Sequence, residues 1–261
     1  MSGHIIAEEY VKNNKTQKGH SIPLIKLICN DNYKNILDIG CGDGKITSEL
    51  NDYFVHSNVT GVDISNNMIA HSKKCYNGIT FSVQDAVNLN YVNCFDLITS
   101  FSTIHWIKDQ TQLFKNIFNA LVDGGRFIGF LYPICPIQIQ SLKKTSSMVK
   151  YNKYLQPFFL PYTDCNERMY RNIFLQTGFK INNLSTTKTS FVSYKDKLTL
   201  LNFIKTWLPH EKKLPRGLAK EFMHDFIEQY ILDIKRAYNL LYSNDEIINV
   251  PFKRIEIDIL K

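Results

Sequence analysis

A glycine-rich segment near residue 40 carries the clearest chemical signal in the sequence. It runs Asp38-Ile-Gly40-Cys-Gly42-Asp-Gly44, between a stretch typical of a buried strand and one typical of a helix. Glycines at a strand-to-helix turn let a ligand lie against the backbone, and the free N–H groups of the helix start can bind it. The segment therefore predicts a ligand-binding loop.

The spacing and charge of this loop favour a cationic ligand group over a pyrophosphate. A dinucleotide fingerprint needs a glycine at position 45, which is Lys45, and the third glycine comes one residue early. Asp38 would repel a pyrophosphate and attract an ammonium group, at roughly 1.5–3 kcal/mol for a hydrogen bond to a charged group. S-adenosylmethionine (SAM) carries both an ammonium and a sulfonium group.

Two further carboxylates follow the next two predicted strands. Asp63 ends the strand Asn58–Asp63, and Asp85 follows the strand Ile79–Gln84. The first carboxylate can bind both hydroxyls of a ribose there, and the second can reach an adenine amino group. Asp63 suits a nicotinamide adenine dinucleotide as well as SAM, so it predicts an adenosine-containing ligand without deciding between the two.

Strand and helix patterns alternate through the first half of the chain, which predicts a doubly wound, mostly parallel sheet with helices on both faces. The predicted strands are Asn35–Ile39, Asn58–Asp63, Ile79–Gln84, Phe95–Phe101 and Arg126–Tyr132. The predicted helices are Lys45–Leu50, Asn66–Cys75 with Ser65 as N-cap, and Gln112–Leu121, which is expected to stop at Gly124-Gly125.

The second half is less regular, and we expect it to complete a single domain over residues 1–261. Four prolines between Pro133 and Pro161 predict an insertion. Loose alternation over Phe179–Phe191 predicts a long edge strand, and Phe252–Leu260 predicts a final strand. Further helices are expected at Glu167–Gln176, about Lys197–Trp207 and about Arg216–Ala237.

The net charge of +7 lies wholly in the second half, because residues 1–132 carry 11 basic against 12 acidic side chains and residues 133–261 carry 20 against 12. No acidic residue occurs between Gly124 and Thr163. A positive surface could attract an anionic substrate, an acidic carrier protein or nucleic acid. A lysine-rich, solvated surface produced by composition alone explains the same numbers.

Other sequence features narrow the class of protein. No apolar run approaches the roughly 20 residues of a membrane span, and the first residues lack the basic and apolar regions of a signal peptide. We therefore expect a cytoplasmic protein. The six cysteines form no C-x-x-C pair, so neither a metal site nor a disulfide framework is predicted.

Four motifs together resemble those of the class I SAM-dependent methyltransferases over about residues 35–132. They are Leu-Asp-Ile-Gly-Cys-Gly-Asp-Gly, Gly-Val-Asp-Ile-Ser-x-x-Met, Gln-Asp-Ala and Phe-Asp-Leu-Ile-Thr-Ser-Phe. Within that class, Ser100-Phe-Ser-Thr-Ile-His105-Trp106 is similar to the trans-aconitate, juvenile hormone acid and malonyl-carrier-protein methyltransferases. The resemblance implies a Rossmann-like, seven-stranded sheet whose last strand is antiparallel, with a helical cap formed by insertions.

The resemblance also implies roles for segments and residues. Residues 1–34 would form N-terminal lid helices, 35–132 the cofactor-binding core, 133–215 the acceptor cap and edge strand, and 216–261 the C-terminal helix and final strand. The residues implied to bind SAM are Tyr10, Gln17, Asp38, Gly40, Cys41, Gly42, Asp63, Ile64, Met68, Asp85, Ala86, Ser100 and Phe101. By pattern alone, Met68 also suits a core position, and Tyr10 and Gln17 also suit a helix surface.

The acceptor side is predicted at His105, Trp106 and Tyr132, which follow the fourth and fifth strands. His105 could act as a general base or could only hydrogen-bond the acceptor, since a carboxylate acceptor needs no base. The first hypothesis is O-methylation of a carboxylate on a small or carrier-bound acid, by a monomer or homodimer. The alternatives are methylation of another small metabolite or of nucleic acid, and a non-catalytic SAM-binding partner or sensor.

Overall fold

The chain folds into two units, which a computed structural model describes over residues 15–29, 31–238 and 247–261. The strands are β1 Asn35–Ile39, β2 Asn58–Asp63, β3 Thr80–Val83, β4 Phe95–Phe101, β5 Leu121–Leu131, β6 Lys180–Thr186, β7 Ser190–Tyr194, β8 Ile248–Phe252 and β9 Ile255–Leu260. The α-helices are α1 Lys15–Ile28, α2 Lys45–Tyr53, α3 Asn66–Cys75, α4 Gln110–Ala120, α5 Pro136–Ser146, α6 Val149–Leu155, α7 Glu167–Thr177, α8 Lys197–Lys205 and α9 Arg216–Tyr238.

The first unit contains a seven-stranded sheet. It is formed by three segments of the chain, which are the described residues up to Pro133, Cys165–Thr187 and Arg254–Lys261. The strand order is β3-β2-β1-β4-β5-β9-β6, and β9 runs antiparallel to both of its neighbours. This topology confirms the predicted fold class. The carboxyl ends of β1 to β5 share one edge of the sheet, and the antiparallel pairing of Leu131 with Ile255 brings the amino end of β9 to the same edge.

Alternate residues of the central strands pack on opposite faces of this sheet, as the two-residue period of a strand requires. Ile36 and Leu97 face α1 and α2 in one apolar cluster, whereas Leu37 and Ile98 face α4 and α7 in another. Phe114 of α4 anchors the second cluster. The near-continuous apolar strands therefore reflect burial on both faces, as in other parallel sheets.

Local sequence signals set several element boundaries as predicted. The strands Asn35–Ile39, Asn58–Asp63 and Phe95–Phe101 are confirmed, and so is the helix Asn66–Cys75. The Ser65 side chain caps that helix by accepting a hydrogen bond from the Met68 backbone N–H at 3.4 Å. Such a cap satisfies one of the free N–H groups at a helix start.

The prediction that Gly124 and Gly125 end the fourth helix is wrong. The helix α4 ends at Ala120, and β5 begins at Leu121 and runs through both glycines, with a shift of register against β4. Lys261 explains the difference, because its backbone N–H donates to the Gly125 carbonyl at 2.9 Å and its carbonyl accepts from Gly124 at 3.3 Å. The two glycines thus form an irregularity in a strand, and Gly124 has the left-handed backbone that favours glycine there.

The predicted edge strand Phe179–Phe191 is confirmed in its position, because β6 lies at the edge of the sheet, but its predicted length is wrong, because the chain divides there into β6 and β7. The strand β6 pairs with β9, whereas β7 pairs with β8 in a separate two-stranded sheet. The predicted final strand Phe252–Leu260 divides in the same way, with Phe252 in β8 and the remainder in β9. Alternation reports which side of a strand is buried, but it does not identify the pairing partner.

The second unit comprises Ile134–Asp164 and the described part of Lys188–Lys253, and its helices are α5, α6, α8 and α9. Its core includes stacked rings along α9, at Phe222, Phe226 and Tyr230. Two lysines of the acid-free stretch form ion pairs with this helix. They pair as Lys144 with Asp233 at 2.6 Å and Lys150 with Asp225 at 2.7 Å.

These ion pairs bear on the meaning of the basic stretch. Carboxylates far along the sequence neutralise lysines that look unpaired in the sequence. The fold therefore neutralises part of the acid-free stretch, while the net excess of positive charge in residues 133–261 already counts these carboxylates and is unchanged. Within the part of the chain that the structure describes, no helix has the length and apolar character needed to cross a membrane. The cytoplasmic location stays a prediction.

Candidate functional site

The glycine loop between β1 and α2 depends on left-handed backbone. Gly40, Gly42 and Gly44 have φ angles of +73°, +53° and +81°, a region that side chains disfavour. A Cβ atom at Gly40 would also lie 2.0 Å from Cγ2 of Thr103. At position 40 the loop backbone therefore lies so close to Thr103 that only glycine fits there.

Hydrogen bonds hold the loop in this conformation. The backbone N–H groups of Gly40 and Cys41 donate to the Val62 carbonyl at 2.7 and 3.0 Å. The hydroxyl of Thr103 donates to the Gly40 carbonyl at 3.1 Å, and the hydroxyl of Ser72 donates to the Gly42 carbonyl at 2.9 Å. The loop is thus preorganised by β2, by α3 and by the segment that follows β4.

Asp38, at the penultimate position of β1, is a buried carboxyl group. Its side chain accepts hydrogen bonds from the hydroxyls of Thr47 at 2.7 Å and Thr99 at 3.0 Å. Burial raises the pKa of Asp38 to about 6, although both hydroxyls favour the ionised form. A nearby cationic ligand group would stabilise the carboxylate, so the site is suited to an ammonium group.

Asp63 connects the glycine loop to the start of α3. One carboxylate oxygen accepts from the Gly42 N–H at 3.0 Å, and the other accepts from the Ser65 N–H at 2.8 Å. Burial raises the pKa of Asp63 above its usual value. Each carboxylate oxygen can accept further hydrogen bonds, and the side chain is only partly buried, so Asp63 can still accept from ligand hydroxyls.

The remaining predicted adenosine contacts differ in exposure. Ile64 follows Asp63 and is 45% exposed, whereas Met68 is only 4% exposed and belongs to the packed interior of the first unit. Asp85 follows β3 and caps the 3₁₀ turn Ala86–Asn88 by accepting from the Val87 N–H at 3.1 Å. The structure therefore brings Asp63, Ile64 and Asp85 to adjacent strand ends, with Ile64 as the accessible apolar side chain.

Two predicted residues lie at the end of β4. The Ser100 hydroxyl donates to the Ile39 carbonyl at 2.8 Å, and the ring of Phe101 packs on Phe130 at a centroid distance of 5.6 Å. Both side chains are buried. The next residue, Ser102, has a φ angle of +60°, which is uncommon for a residue other than glycine and marks a sharp turn at this edge.

The predicted acceptor-side residues lie close together. His105 is in the 3₁₀ turn Ile104–Trp106, and its ring centroid lies 5.3 Å from that of Trp106 and 6.3 Å from that of Tyr132. Burial lowers the pKa of His105 to about 3 and raises that of Tyr132 above its usual range. Neutral His105 is therefore a weak base, and of its two predicted roles this favours a hydrogen bond to the acceptor over a general base.

Sequence analysis missed two neighbours of this group. Nδ1 of His20, on α1, is hydrogen-bonded to the Tyr132 hydroxyl at 2.8 Å, and burial together with the charge of Arg254 lowers the pKa of His20 to about 4. The guanidinium of Arg254 lies 5.8 Å from the Phe130 ring centroid. Neither residue belongs to a motif, but the position of Arg254 before an antiparallel final strand could have suggested this edge.

Two predicted lid residues cannot be located in the same way. Tyr10 lies outside the described residues, and Gln17 belongs to α1 in a part whose side chains are not described. The lid stays a prediction. Among the described residues, no cluster of histidine, cysteine and carboxylate side chains could hold a metal ion.

The residues at the ends of β1 to β3 suit SAM in charge and polarity. Gly40, Gly42 and Gly44 carry no side chains, so a ligand can lie against the main chain of the loop. A buried carboxylate lies under this cradle, and a partly exposed carboxylate with an exposed apolar neighbour lies beside it. These features match, respectively, an ammonium group, a ribose and an adenine.

Comparisons with known proteins support this interpretation. Residues 37–129 match a family described as a methyltransferase domain. Juvenile hormone acid O-methyltransferase of Bombyx mori is 30% identical over 251 residues, which cover 90% of this chain and 87% of that protein. Malonyl-[acyl-carrier protein] O-methyltransferase of Bacillus anthracis is 34% identical over 92 residues, which cover 34% of each chain.

A solved structure agrees on the fold. The phosphoethanolamine N-methyltransferase 2 of Haemonchus contortus, solved with phosphomonomethylethanolamine and S-adenosylhomocysteine, superposes with a TM-score of 0.57 at 20% identity. The match covers 98% of this chain and 57% of that one. The similarity to the Bombyx mori enzyme over most of both chains shows that this chain belongs to the family of SAM-dependent methyltransferases, and the glycine loop and the three carboxylates agree with this assignment.

Proposed function

We propose that this chain transfers the methyl group of SAM to a carboxylate of a small or carrier-bound acid, forming a methyl ester. The observation that carries the proposal is the weakness of the bases on the acceptor side. Burial lowers the pKa of His105 to about 3 and that of His20 to about 4. An acceptor that must lose a proton would find no strong base in these two side chains.

A carboxylate acceptor removes the need for a base. Its pKa is near 4, so it is ionised at neutral pH and already nucleophilic. Bound SAM supplies a methyl group on a sulfonium, and the chain's own residues then have to exclude water and align the acceptor. Orientation of that kind can contribute on the order of 7–11 kcal/mol in favourable cases. The aromatic rings of Trp106 and Tyr132 suit this role.

The names of two relatives agree with this substrate class. One is a juvenile hormone acid O-methyltransferase, and the other is a malonyl-[acyl-carrier protein] O-methyltransferase. The similarity to the first spans most of this chain, whereas similarity to the second is confined to about a third. We therefore favour a free small acid over a carrier-bound acid.

The proposed cofactor roles use the predicted residues, but the buried ones are assigned supporting positions instead of direct contacts. Gly40, Cys41 and Gly42 would contact the methionine part through their backbone, and Asp38 would act through its charge from beneath the loop. Asp63 would bind the ribose, and Ile64 would contact the adenine beside Asp85 and Ala86. Met68, Ser100 and Phe101 are buried and would shape these contacts from behind.

We also propose that the second unit contributes acceptor selection. The residues proposed to bind SAM all belong to the first unit, so the second unit is available for another task. Its stacked rings and paired lysines give it a core of its own. A chimera that carries the second unit of a relative should keep SAM affinity and change the preferred acid.

The proposed reaction is tested with purified protein and SAM labelled in the methyl group. The acceptors are straight-chain carboxylic acids of 4 to 16 carbons, dicarboxylic acids of the same lengths, and the matched primary amides, alcohols and amines. A methyl ester is cleaved by mild base to volatile labelled methanol, whereas methylated amines and ethers are stable. We expect base-labile product from acids only.

Other outcomes would assign other functions. Base-stable product on an amine or an alcohol would replace carboxyl methylation with a different acceptor class. Label transfer to RNA or DNA would favour the nucleic-acid alternative. Binding of SAM without transfer to any member of the panel would contradict the proposed acceptors.

A further inference from the structure

We propose that Arg254 is the residue that selects an anionic acceptor, binding its carboxylate in competition with Glu256. The inference rests on the proposed carboxyl methylation, since it names the group that recognises the acid. Arg254 immediately precedes β9 and is absent from every motif in the sequence. Its guanidinium lies over the Phe130 ring, at the sheet edge where β4 and β5 also end.

The position of Arg254 follows from the sheet topology. Because β9 is antiparallel to β5, its first residue, Ile255, pairs with Leu131 at the carboxyl end of β5. Tyr132 comes next in the chain, and its hydroxyl bonds His20. Arg254 is close enough that its charge contributes to the lowered pKa of His20. The guanidinium therefore belongs to the group of residues predicted to face the acceptor.

The ion pair of Arg254 leaves hydrogen-bonding capacity for a ligand. Nε and one terminal nitrogen both donate to the same Glu256 oxygen, at 3.3 and 2.7 Å. Among the described residues, the other terminal nitrogen of Arg254 has no acceptor. The two side chains are 20% and 21% exposed, so an anion can reach them.

A second arginine on the same strand pair shows what a saturated ion pair looks like. Arg126 binds both oxygens of Asp258, at 2.8 Å each, and its remaining terminal nitrogen pairs with Asp31 at 3.2 Å. It pairs in register with Leu260, at the opposite end of β9. Arg126 thus has a structural arrangement, whereas Arg254 keeps one donor for a further acceptor.

The surroundings of Arg254 favour recognition of a carboxylate. His20 is neutral, because its pKa is about 4, and the pKa of Tyr132 is raised above its usual range, so neither side chain adds negative charge at neutral pH. Glu256 is the acidic group that faces the guanidinium. An incoming carboxylate would share the guanidinium with Glu256, which limits its affinity and makes Glu256 a competitor.

Binding, without turnover, tests this inference. Wild type, R254Q, E256Q and R126Q are loaded with S-adenosylhomocysteine and titrated by calorimetry with the acids of 4 to 16 carbons and their matched primary amides. Wild type should prefer an acid to its amide. R254Q should lose that preference through an about 10- to 100-fold weaker affinity for the acid, the scale of one charge-assisted hydrogen bond.

The two other variants separate recognition from a structural role. E256Q removes the competitor and should strengthen acid binding by about threefold or more, as expected for a weakened rival ion pair. R126Q, which breaks an ion pair of the same kind at the other end of the strand, should leave the acid preference unchanged. A merely structural Arg254 would make R254Q and E256Q shift acid affinity in the same direction. Thermal melts monitor folding in each case.

The outcomes also separate this inference from the proposed function. An acid preference that survives in R254Q, or no acid preference in wild type, would overturn the role of Arg254. If methyl esters still form in either case, carboxyl methylation stands without it. Conversely, Arg254-dependent binding of acids without ester formation would support this residue and reject the proposed reaction.

Discussion

The two halves of the candidate site lie on one sheet edge but consist of different chemical groups. At the ends of β1 to β3, backbone and carboxylates dominate, with Gly40, Asp38 and Asp63 at the centre. At the ends of β4 and β5 and the start of β9, the described side chains include rings and neutral histidines beside Arg254, which is paired with Glu256. The first half is suited to the cationic groups of SAM, and we propose an anionic acceptor for the second.

The difference shows how one sheet can bring two oppositely charged reactants together. Each half complements the charge of its proposed ligand. SAM would be attracted to the first half and the carboxylate to the second, and each would be disfavoured in the other half. Methyl transfer from a sulfonium to a carboxylate then removes both charges. The following variants test whether the cofactor half and the acceptor half act independently.

We expect the largest effect from G40A. An alanine would adopt a disfavoured φ of +73° and place Cβ 2.0 Å from Thr103 Cγ2. The strain and the clash together should cost about 2–4 kcal/mol of stability. The displaced loop should weaken SAM binding by more than about 100-fold, the scale of two lost hydrogen bonds to a charged ligand. Calorimetry and urea denaturation measure the two effects.

The matched control for this variant is G124A. Gly124 has a nearly equal φ of +76°, but a Cβ there would meet nothing within 4 Å. Its cost should be limited to the strain of left-handed backbone, about 1–2 kcal/mol. SAM affinity should be unchanged in G124A. Equal losses of SAM affinity in both variants would show that general destabilisation, and not the shape of the loop, controls binding.

The next largest effect is expected from D63A. The substitution removes a carboxylate that binds the Gly42 and Ser65 N–H groups and that we propose to bind the ribose. SAM affinity should fall about 100-fold, and D63N, which keeps one oxygen acceptor, should lose about tenfold. Calorimetric titration with SAM measures both. Wild-type affinity in D63A would contradict the proposed position of the ribose.

The cofactor half was predictable from sequence because its parts are local. Asp38 and the glycines lie within seven residues, and of the two later carboxylates Asp63 ends a predicted strand and Asp85 directly follows one. A core position was one of the two interpretations of Met68, and its burial agrees with that interpretation. The strand boundaries around Asp63 were correct for the same local reasons, including the Ser65 cap.

The acceptor half was only partly predictable because it depends on long-range pairing. His105 and Tyr132 follow identifiable strands, but His20 reaches Tyr132 from a helix 112 residues earlier in the chain. Arg254 reaches the site because β9 inserts between β5 and β6. The predictions of undivided strands at Phe179–Phe191 and Phe252–Leu260 failed for the same reason, since alternation does not encode the partner strand.

A third variant, D38N, should trade cofactor affinity for stability. The folded pKa of Asp38 is about 6, whereas an unfolded aspartate titrates near 3.9. The folded state therefore binds the proton more tightly, and this stabilising contribution is lost as pH rises from about 4 to about 6. At pH 8, the buried charge should cost about 3 kcal/mol, which an uncharged asparagine avoids.

Urea denaturation at pH 5 and pH 8 checks this sign. Without cofactor, D38N should exceed wild type in stability at pH 8, and its advantage should shrink at pH 5. SAM affinity should fall about tenfold with the loss of charge. D52N, at an exposed position of α2, should show neither effect. A D38N protein that is less stable than wild type at pH 8 would show that the hydroxyl hydrogen bonds outweigh the buried charge.

The smallest effect is expected from H105N, on the acceptor side. Since burial keeps the pKa of His105 near 3, the ring is neutral throughout the working pH range, and its loss should change kcat by less than about threefold. The wild-type rate with the best acid of the panel should accordingly be constant between pH 6 and 9, because a carboxylate acceptor is ionised throughout that range. A general base would behave differently, because removing one costs about 100- to 10,000-fold in kcat and leaves a titration step in the pH profile. A fall of that size with unchanged KM would restore His105 as the base and would remove the structural reason for preferring carboxylate acceptors.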